Sequence, residues 1–320
     1  MRKYVRLGLL LAVVLALTVL LPGPERASGQ APGYPDSMAS LGDSITRAMD
    51  ANMYGDQPEY SWSTGDNIAV QSQYYRILQE NSLISGNNHN DAVSGAKMVD
   101  LDGQAHTAVS QNVEYVTILM GANDVCTDTE GHMTSVATFR TQFHDAIDTL
   151  TSGLPNARIF VASIPDIYHL WVILHDNSYV AGFWDALGIC PPMLASTADD
   201  AQRERVRQRN IEFNTVLAEV CNSHPRCRFD NNAVFHSQFG VNDVSTLDYF
   251  HPSVAGQANL ARLTWVFAYY LFAPVGGLAA LPDASGSAGR NYVALDALAA
   301  AALVALGAGG WYARRRSSRG

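Results

Sequence analysis

The chain has 320 residues, of which 48% are hydrophobic and 16% are charged, with 30 acidic against 21 basic side chains. This composition excludes a disordered, collagen-like or coiled-coil chain. Residues 1–31 and 291–320 each contain four basic and one acidic residue, so the 13 basic and 28 acidic residues between them give a formal charge of −15. Such a surface repels polyanions, and we therefore exclude general nucleic-acid binding.

The N-terminus predicts export of the protein. Three basic residues among the first six precede an uncharged, mostly apolar stretch over 7–21, and small side chains follow up to residue 31. This order is typical of a secretory signal peptide, which we assign to residues 1–31. An N-terminal membrane anchor is the alternative, but the apolar run is shorter than the roughly 20 residues that a membrane span needs.

The C-terminus predicts a single-pass membrane anchor over residues 291–313, which contain one charged residue, Asp296. A helix of about 21 residues spans roughly 31 Å, close to the bilayer hydrocarbon thickness of about 30 Å. The four arginines of the tail 314–320 would stay in the cytoplasm. A sortase-type cell-wall signal has a similar outline, but the Thr-Gly at which such signals are cut is missing. The small-residue stretch 274–290 then forms a flexible linker.

Residues 32–273 are thus expected to form one exported domain on the outer face of the membrane, where disulfides are the normal state of cysteines. Four cysteines allow three pairings. Cys221 and Cys227 enclose only five residues, which favours a local bridge and leaves Cys126 to pair with Cys190. A metal site is the alternative, but no Cys-x-x-Cys or His-x-x-x-His spacing supports one, and we predict none.

Strand-like and helix-like segments alternate within the domain. Continuous apolar runs over 38–41, 113–120 and 158–164 predict buried strands. Helical patterns occur from Ile45 onward and over 71–79, 139–150, 205–220 and 255–272. Strands separated by helices over about 240 residues predict one α/β domain with a parallel sheet.

Two short blocks follow predicted strands and carry groups suited to acyl transfer. Ser44, directly after the first strand, would present its hydroxyl and its backbone N–H at a tight strand-to-helix turn. Asn123 follows the second strand and offers an amide donor that could stabilise a developing oxyanion. Taken alone, Ser44 favours an ordinary helix cap, and a helix cap is also the alternative interpretation of Asn123.

Two further blocks complete a possible catalytic set. Gly95 lies in a predicted turn, where its N–H could point at a ligand. Asp248 and His251 are three residues apart, so in one helical turn they would share a face, and the carboxylate would orient the imidazole. A turn and a surface pair are the ordinary interpretations, but the four blocks together supply a nucleophile, a base, an orienting carboxylate and oxyanion donors.

The blocks resemble those of the SGNH, or GDSL-type, serine hydrolases: Gly42-Asp43-Ser44, Gly95 in Ser-Gly-Ala, Gly121-Ala122-Asn123-Asp124 and Asp248-x-x-His251-Pro252. The resemblance covers roughly residues 36–272 and implies a flavodoxin-like three-layer α/β/α sandwich with a central parallel sheet of about five strands. It implies that Ser44, Asp248 and His251 form the catalytic triad. It also implies an oxyanion hole of Ser44, Gly95 and Asn123, and a reaction that needs no metal or organic cofactor.

Residues 61–66, Gly95-Ala96-Lys97 and Cys126 are similar to phospholipase B-like members and to secreted actinobacterial esterases and lipases, although Asp66 replaces a glycine that is common in the phospholipase B pattern. The resemblance implies a serine esterase or lipase that hydrolyses carboxylic esters of lipids or small acyl compounds. The predicted signal peptide makes this an exported enzyme, and we expect a monomer. The alternatives are phospholipase B-like activity, carbohydrate O-deacetylation or acyl transfer by the same triad, and a non-catalytic binding domain. The complete triad argues against the last.

Two segments have more than one interpretation. Residues 167–194 contain five aromatic side chains and form either a cover that receives an acyl chain or a packed insertion held by Cys190. The second segment is a stripe of arginines that predicts a solvated helix face rather than a phosphate site. Its members are Arg203, Arg205, Arg207 and Arg209.

Overall fold

The computed structural model describes residues 33–269. The predicted signal peptide, linker, membrane anchor and basic tail lie outside the described residues. Within residues 33–269, none of the helices has both the length and the apolar character that crossing a bilayer requires.

The strands are β1 (Met38–Gly42), β2 (Asn88–Asn90), β3 (Tyr115–Leu119), β4 (Arg158–Val161) and β5 (Cys227–Phe229). They form one parallel sheet in the order β2-β1-β3-β4-β5. Every residue of β1 and β3 is buried, as expected for parallel strands covered on both faces. The predictions of β1, β3 and β4 are confirmed, whereas β2 and β5 have three residues each and no apolar pattern that predicts them.

Helices cover both faces of the sheet, and the expected three-layer α/β/α sandwich is confirmed. Helices α2 (Leu101–Gln111), α4 (Val136–Gly153) and α8 (Asp200–Asn222) pack side by side on one face. On the other face, Gln73 of α1 (Gln73–Glu80) accepts a hydrogen bond from Tyr115 of β3, and Arg76 of α1 lies over Trp265 of α9 (Val254–Phe267). The helices are α1 (Gln73–Glu80), α2 (Leu101–Gln111), α3 (Ala122–Val125), α4 (Val136–Gly153), α5 (Ile167–Leu174), α6 (Ser178–Leu187), α7 (Pro191–Leu194), α8 (Asp200–Asn222) and α9 (Val254–Phe267). Single 3-10 turns occupy Pro58–Tyr60, Ser82–Ile84, Met98–Asp100, Glu130–His132 and Val241–Asp243.

The predicted helix from Ile45 onward is wrong, because residues 43–50 form a bend and consecutive turns. The Asp43 carboxylate accepts a hydrogen bond from the Ile45 N–H at 2.9 Å, which offers the backbone a local alternative to helical bonding. Ala48 then adopts a left-handed φ of 50°, which a regular helix does not allow. Ser44 therefore lies in a turn that is not followed directly by a helix.

The aromatic segment 167–194 is a packed insertion made of α5, α6 and α7. Trp184 is fully buried, and its indole N–H donates to the Tyr249 carbonyl at 3.0 Å. A disulfide joins Cys190 at the start of α7 to Cys126, the residue that follows α3. The insertion is thereby tied to the element that carries Asn123.

Two members of the arginine stripe of α8, Arg203 and Arg207, hold this insertion in place, and the predicted solvated face is wrong for the first of them. Arg203 is buried, donates to the Met193 and Ala195 carbonyls, and lies 4.4 Å from the ring centre of Trp171. Arg207 pairs with Asp166 at 2.8 Å, at the start of α5. These charges are therefore used for intramolecular contacts.

A second disulfide joins Cys221 at the end of α8 to Cys227 in β5. Both bridges have the pairing expected from the cysteine spacing, and within residues 33–269 no cysteine is free. Two disulfides in one domain suggest an oxidising, extracellular environment.

Candidate active site

Ser44, His251 and Asp248 form a hydrogen-bonded chain at the carboxyl edge of the sheet. The His251 Nε2 atom lies 2.7 Å from Ser44 Oγ, and His251 Nδ1 hydrogen-bonds with Asp248 Oδ2. The side chains of His251 and Asp248 are only 15% and 14% exposed, so little water competes for these contacts. In this arrangement the imidazole can accept the serine proton while the carboxylate holds its other nitrogen.

Two features at the end of β1 position Ser44. Gly42 has a φ of 152°, and a Cβ atom there would lie 2.3 Å from the Leu119 carbonyl oxygen, so only glycine fits. The buried Gln104 side chain of α2 accepts from the Gly42 N–H at 2.7 Å and donates to the Gly42 carbonyl at 2.9 Å. Gln104 belongs to no recognisable motif, so the sequence contained no signal for this supporting role.

Asp248 and His251 lie on a loop, so the predicted helical turn is wrong although the two side chains do meet. Tyr249 between them has a left-handed φ of 56°. The N–H groups of Phe250 and His251 both donate to Asp248 Oδ1, at 3.0 and 3.1 Å, and close a local turn around the carboxylate. Burial raises the pKa of Asp248, but the hydrogen bond and charge of His251 and these two N–H groups outweigh it, and the pKa lies below its ordinary value.

Asn123 lies on α3, after a sharp bend at the end of β3. The bend requires a glycine at position 121. Gly121 has a φ of 125°, and any larger residue there would place its Cβ atom 2.5 Å from the Ile164 side chain. The Asn123 amide donates one hydrogen bond to the Ala96 carbonyl at 2.9 Å, while the adjacent buried Asp124 accepts from the Met98 N–H at 2.8 Å. These neighbouring side chains therefore hold the loop that contains Gly95.

Of the three predicted oxyanion donors, Ser44 follows β1 and Asn123 follows β3, and Gly95 precedes Ala96, to which the Asn123 amide donates. These strands are neighbours although β2 lies between them in the chain, so they form the switch point where parallel sheets bind ligands. Within residues 33–269, neither the Ser44 N–H nor the Gly95 N–H donates to another residue. The Asn123 amide makes one hydrogen bond within these residues, so its second N–H also has no protein acceptor there.

A cavity of about 190 Å³ contains Ser44, Asn123 and His251 in its wall. Most of the remaining wall is apolar and is contributed by the turn after β1, by α5, by the loop before the 3-10 turn Val241–Asp243, and by α9. Its apolar side chains include Ile45, Leu170, Val234, Phe239, Leu260 and Leu263. The site thus combines a small polar reaction centre with an apolar receiving pocket.

Asp43, directly before Ser44, is a fully buried carboxyl group. One oxygen accepts from Ile45, and the other has no hydrogen-bond partner within the part of the chain that the structure describes. Burial raises its pKa to about 7, against the opposing influences of the Ile45 N–H and of His251. Burial also raises the pKa of Asp124.

We expect these carboxyl groups to make the domain less stable at pH 8 than at pH 5. A folded-state pKa above the unfolded one means that the native protein holds the proton more tightly, so stability falls as the pH rises from about 4 through about 7. For Asp43 the change from 3.8 to about 7 corresponds to at most roughly 4 kcal/mol. Asp248 has a lowered pKa, so it stabilises the folded domain above about pH 4, and this contribution is lost as the pH falls below that value.

Urea unfolding at pH 5 and pH 8 measures this difference. Asp43→Asn is expected to reduce the pH dependence, whereas Asp176→Asn, at a side chain that is 98% exposed, serves as the control. A free energy of unfolding that rises between pH 5 and pH 8 would contradict the prediction.

One group of side chains within residues 33–269 is close enough to hold a metal ion: Asp50, Asp248 and His251 have ligand atoms within 4.8 Å of one another. Asp248 and His251 already bond to each other, and Asp50 accepts from the Gly55 N–H at 2.6 Å. A metal ion here would have to displace the contact that orients the imidazole.

The sequence model of the GDSL-like lipase/acylhydrolase family matches residues 38–264. A family 3 carbohydrate esterase from Clostridium thermocellum is 17% identical, with a TM-score of 0.44 over 72% of this chain and 94% of that chain. The α/β hydrolase LAE5 from the Lake Arreo metagenome is 14% identical, with a TM-score of 0.47 over 74% and 97%. The lipase Lip_vut3 from a goat rumen metagenome is 13% identical, with a TM-score of 0.45 over 73% and 97%. No curated protein matches the chain.

Proposed function

Because the chain belongs to the GDSL-like lipase/acylhydrolase family and is a carboxylic ester hydrolase, we propose that it is an exported serine esterase with Ser44 as its nucleophile. The observation that carries the proposal is the hydrogen-bonded chain from Ser44 through His251 to Asp248. The two disulfides support export. The predicted signal peptide at 1–31 and the predicted anchor at 291–313 would leave the domain tethered outside the cell.

The proposed reaction proceeds through an acyl-enzyme. Ser44 Oγ attacks the ester carbonyl carbon while His251 Nε2 takes its proton, and Asp248 stabilises the imidazolium that forms. The N–H groups of Ser44 and Gly95 and the amide of Asn123 stabilise the negative charge on the carbonyl oxygen. His251 then protonates the leaving alkoxide, which departs as the alcohol. A water molecule, deprotonated by His251, releases the acid by the same sequence of steps.

The size of the cavity supports a preference for esters whose acyl chain is longer than acetyl. Its volume is about 190 Å³, and an apolar cavity of roughly 150 Å³ already holds a benzene molecule. An acetyl group would leave most of this apolar wall without a contact. Lipid-like acyl esters therefore fit the cavity better than acetylated sugars do.

Labelling of the full chain with a fluorophosphonate, followed by kinetics on p-nitrophenyl esters from acetate to palmitate, tests the proposal. We expect labelling, and a higher kcat/KM for at least one longer ester than for acetate. Highest activity on acetylated sugars would indicate a carbohydrate O-deacetylase, and transfer to a sugar hydroxyl in preference to water would indicate an acyltransferase. A chain that is neither labelled nor active on any ester would refute the proposal.

A further inference from the structure

The cavity that contains Ser44 has an arginine residue in its wall. Arg262 of α9 lines the cavity together with Ser44 and His251. Its side chain is exposed, and within residues 33–269 it makes no hydrogen bond or ion pair. The proposed reaction does not use this charge.

Arg262 differs in this respect from every other arginine in the described part of the chain. Each of the others donates to a carboxylate or to a backbone carbonyl. These are Arg47, Arg76, Arg140, Arg158, Arg203, Arg205, Arg207, Arg209, Arg226 and Arg228. The contrast is notable because acidic residues outnumber basic ones, 30 to 21, so carboxylate partners are plentiful.

Neither of the two carboxylates in the cavity wall forms an ion pair with Arg262, and each has other partners. Asp166 pairs with Arg207 at 2.8 Å. Asp243 accepts from the Gly240 N–H at 2.8 Å and from the Asn259 amide at 2.6 Å. The positive charge is therefore available to a bound molecule.

A second guanidinium group reinforces this positive potential. Arg76 lies over Trp265, one helical turn from Arg262, and donates to the Gln71 carbonyl at 2.8 Å. Burial and then the charge of Arg262 lower the pKa of Arg76. Within residues 33–269, no carboxylate forms an ion pair with either arginine, so a bound anion would relieve their mutual repulsion.

The helix places this charge at a distance from the reaction centre. Gly256 packs near Pro252, the residue after His251, at the start of α9. Arg262 lies six positions further along the same helix, which corresponds to roughly 9 Å at 1.5 Å per residue. This backbone separation indicates that an anion bound by Arg262 belongs to a part of the ester other than the carbonyl group that Ser44 attacks.

Building on the proposed esterase function, we propose that the site selects esters that carry a carboxylate or phosphate group, which Arg262 binds at the part of the cavity remote from Ser44. The planar guanidinium suits both anions, since it can donate two parallel hydrogen bonds to either. The anion can belong to the acyl side, as in a half-ester of a dicarboxylic acid, or to the alcohol side, as in a glycerophospholipid.

Kinetics on matched ester pairs test this inference. The first pair is p-nitrophenyl octanoate and the mono-p-nitrophenyl ester of octanedioic acid, and the second is a monoacylglycerol and the corresponding lysophosphatidate. In the full chain, Arg262→Gln is expected to lower the ratio of kcat/KM for the anionic over the neutral ester about tenfold or more. Arg262→Lys should retain part of the preference. Arg140→Gln is the matched control, at an exposed arginine of α4 that pairs with Glu219.

The pattern of the losses identifies the source of the anion. A fall in the first ratio alone assigns the anion to the acyl side, and a fall in the second ratio alone assigns it to the alcohol side. Either result, or a fall in both ratios, supports the inference. Ratios that stay within twofold of the unsubstituted protein in both pairs would overturn it, with the esterase function intact. If the chain hydrolyses none of the four esters but is labelled by the fluorophosphonate, the inference fails and the esterase function stands. If it is neither labelled nor active on any ester, both fail.

Discussion

Ser44→Ala is expected to lower kcat for ester hydrolysis by roughly 10⁴–10⁶ and to abolish fluorophosphonate labelling. The substitution removes the hydroxyl that lies 2.7 Å from His251 Nε2, and no other serine has this contact within the described residues. Its stability cost should be small, because only one oxygen atom is lost. Hydrolysis of the preferred p-nitrophenyl ester and gel-based labelling are the measurements.

His251→Ala should cause a comparable loss, because the same base acts in both halves of the reaction. Ser110→Ala is the matched control, at an exposed serine of α2, and should retain full activity. Undiminished labelling in Ser44→Ala would show that another residue is the nucleophile.

Asn123→Ala is expected to reduce kcat by roughly 10²–10³ with a much smaller change in KM. The amide can donate to the oxyanion, whose negative charge is absent in the bound ester and develops in the transition state, so its removal affects the chemical step more than substrate binding. Since the same amide holds the Ala96 carbonyl at 2.9 Å, thermal unfolding should be measured alongside the kinetics.

Asn123→Asp provides a second test, because it keeps the shape of the side chain but replaces the donor by a carboxylate oxygen. We expect a loss at least as large as in the alanine variant. Asn156→Ala, at an exposed residue between α4 and β4, is the control. A loss of less than threefold in both Asn123 variants would remove this residue from the oxyanion hole.

Sequence alone predicted the elements whose local pattern matches their environment. The apolar runs of β1 and β3 predicted buried strands, because a parallel strand covered on both faces needs apolar side chains throughout. The short interval between Cys221 and Cys227 favoured the local disulfide that the structure contains. Strands β2 and β5 gave no comparable signal, since three residues form a strand only when an adjacent strand supplies their hydrogen bonds.

Other local patterns were misleading because side chains compete with the backbone for hydrogen bonds. The segment after Ser44 has a helical composition, but the Asp43 carboxylate takes the Ile45 N–H and Ala48 turns the chain out of the helix. The spacing of Asp248 and His251 correctly predicted that their side chains meet, but it wrongly predicted a helical turn between them. A carboxylate that accepts two backbone N–H groups brings the residues together as effectively as a helix face would.

The sequence by itself determined which chemical groups are present, because the four short blocks identify a hydroxyl, an imidazole, a carboxylate and oxyanion donors. Only the tertiary structure decided that Ser44 and His251, 207 positions apart, come within hydrogen-bond distance. It also decided that Asp43 is buried and that Arg262 lines the cavity without a hydrogen-bond or ion-pair partner in the described part of the chain. The physical reason is that a parallel sheet brings the carboxyl ends of distant strands to one edge, whereas burial and pairing depend on neighbours that the local sequence does not specify.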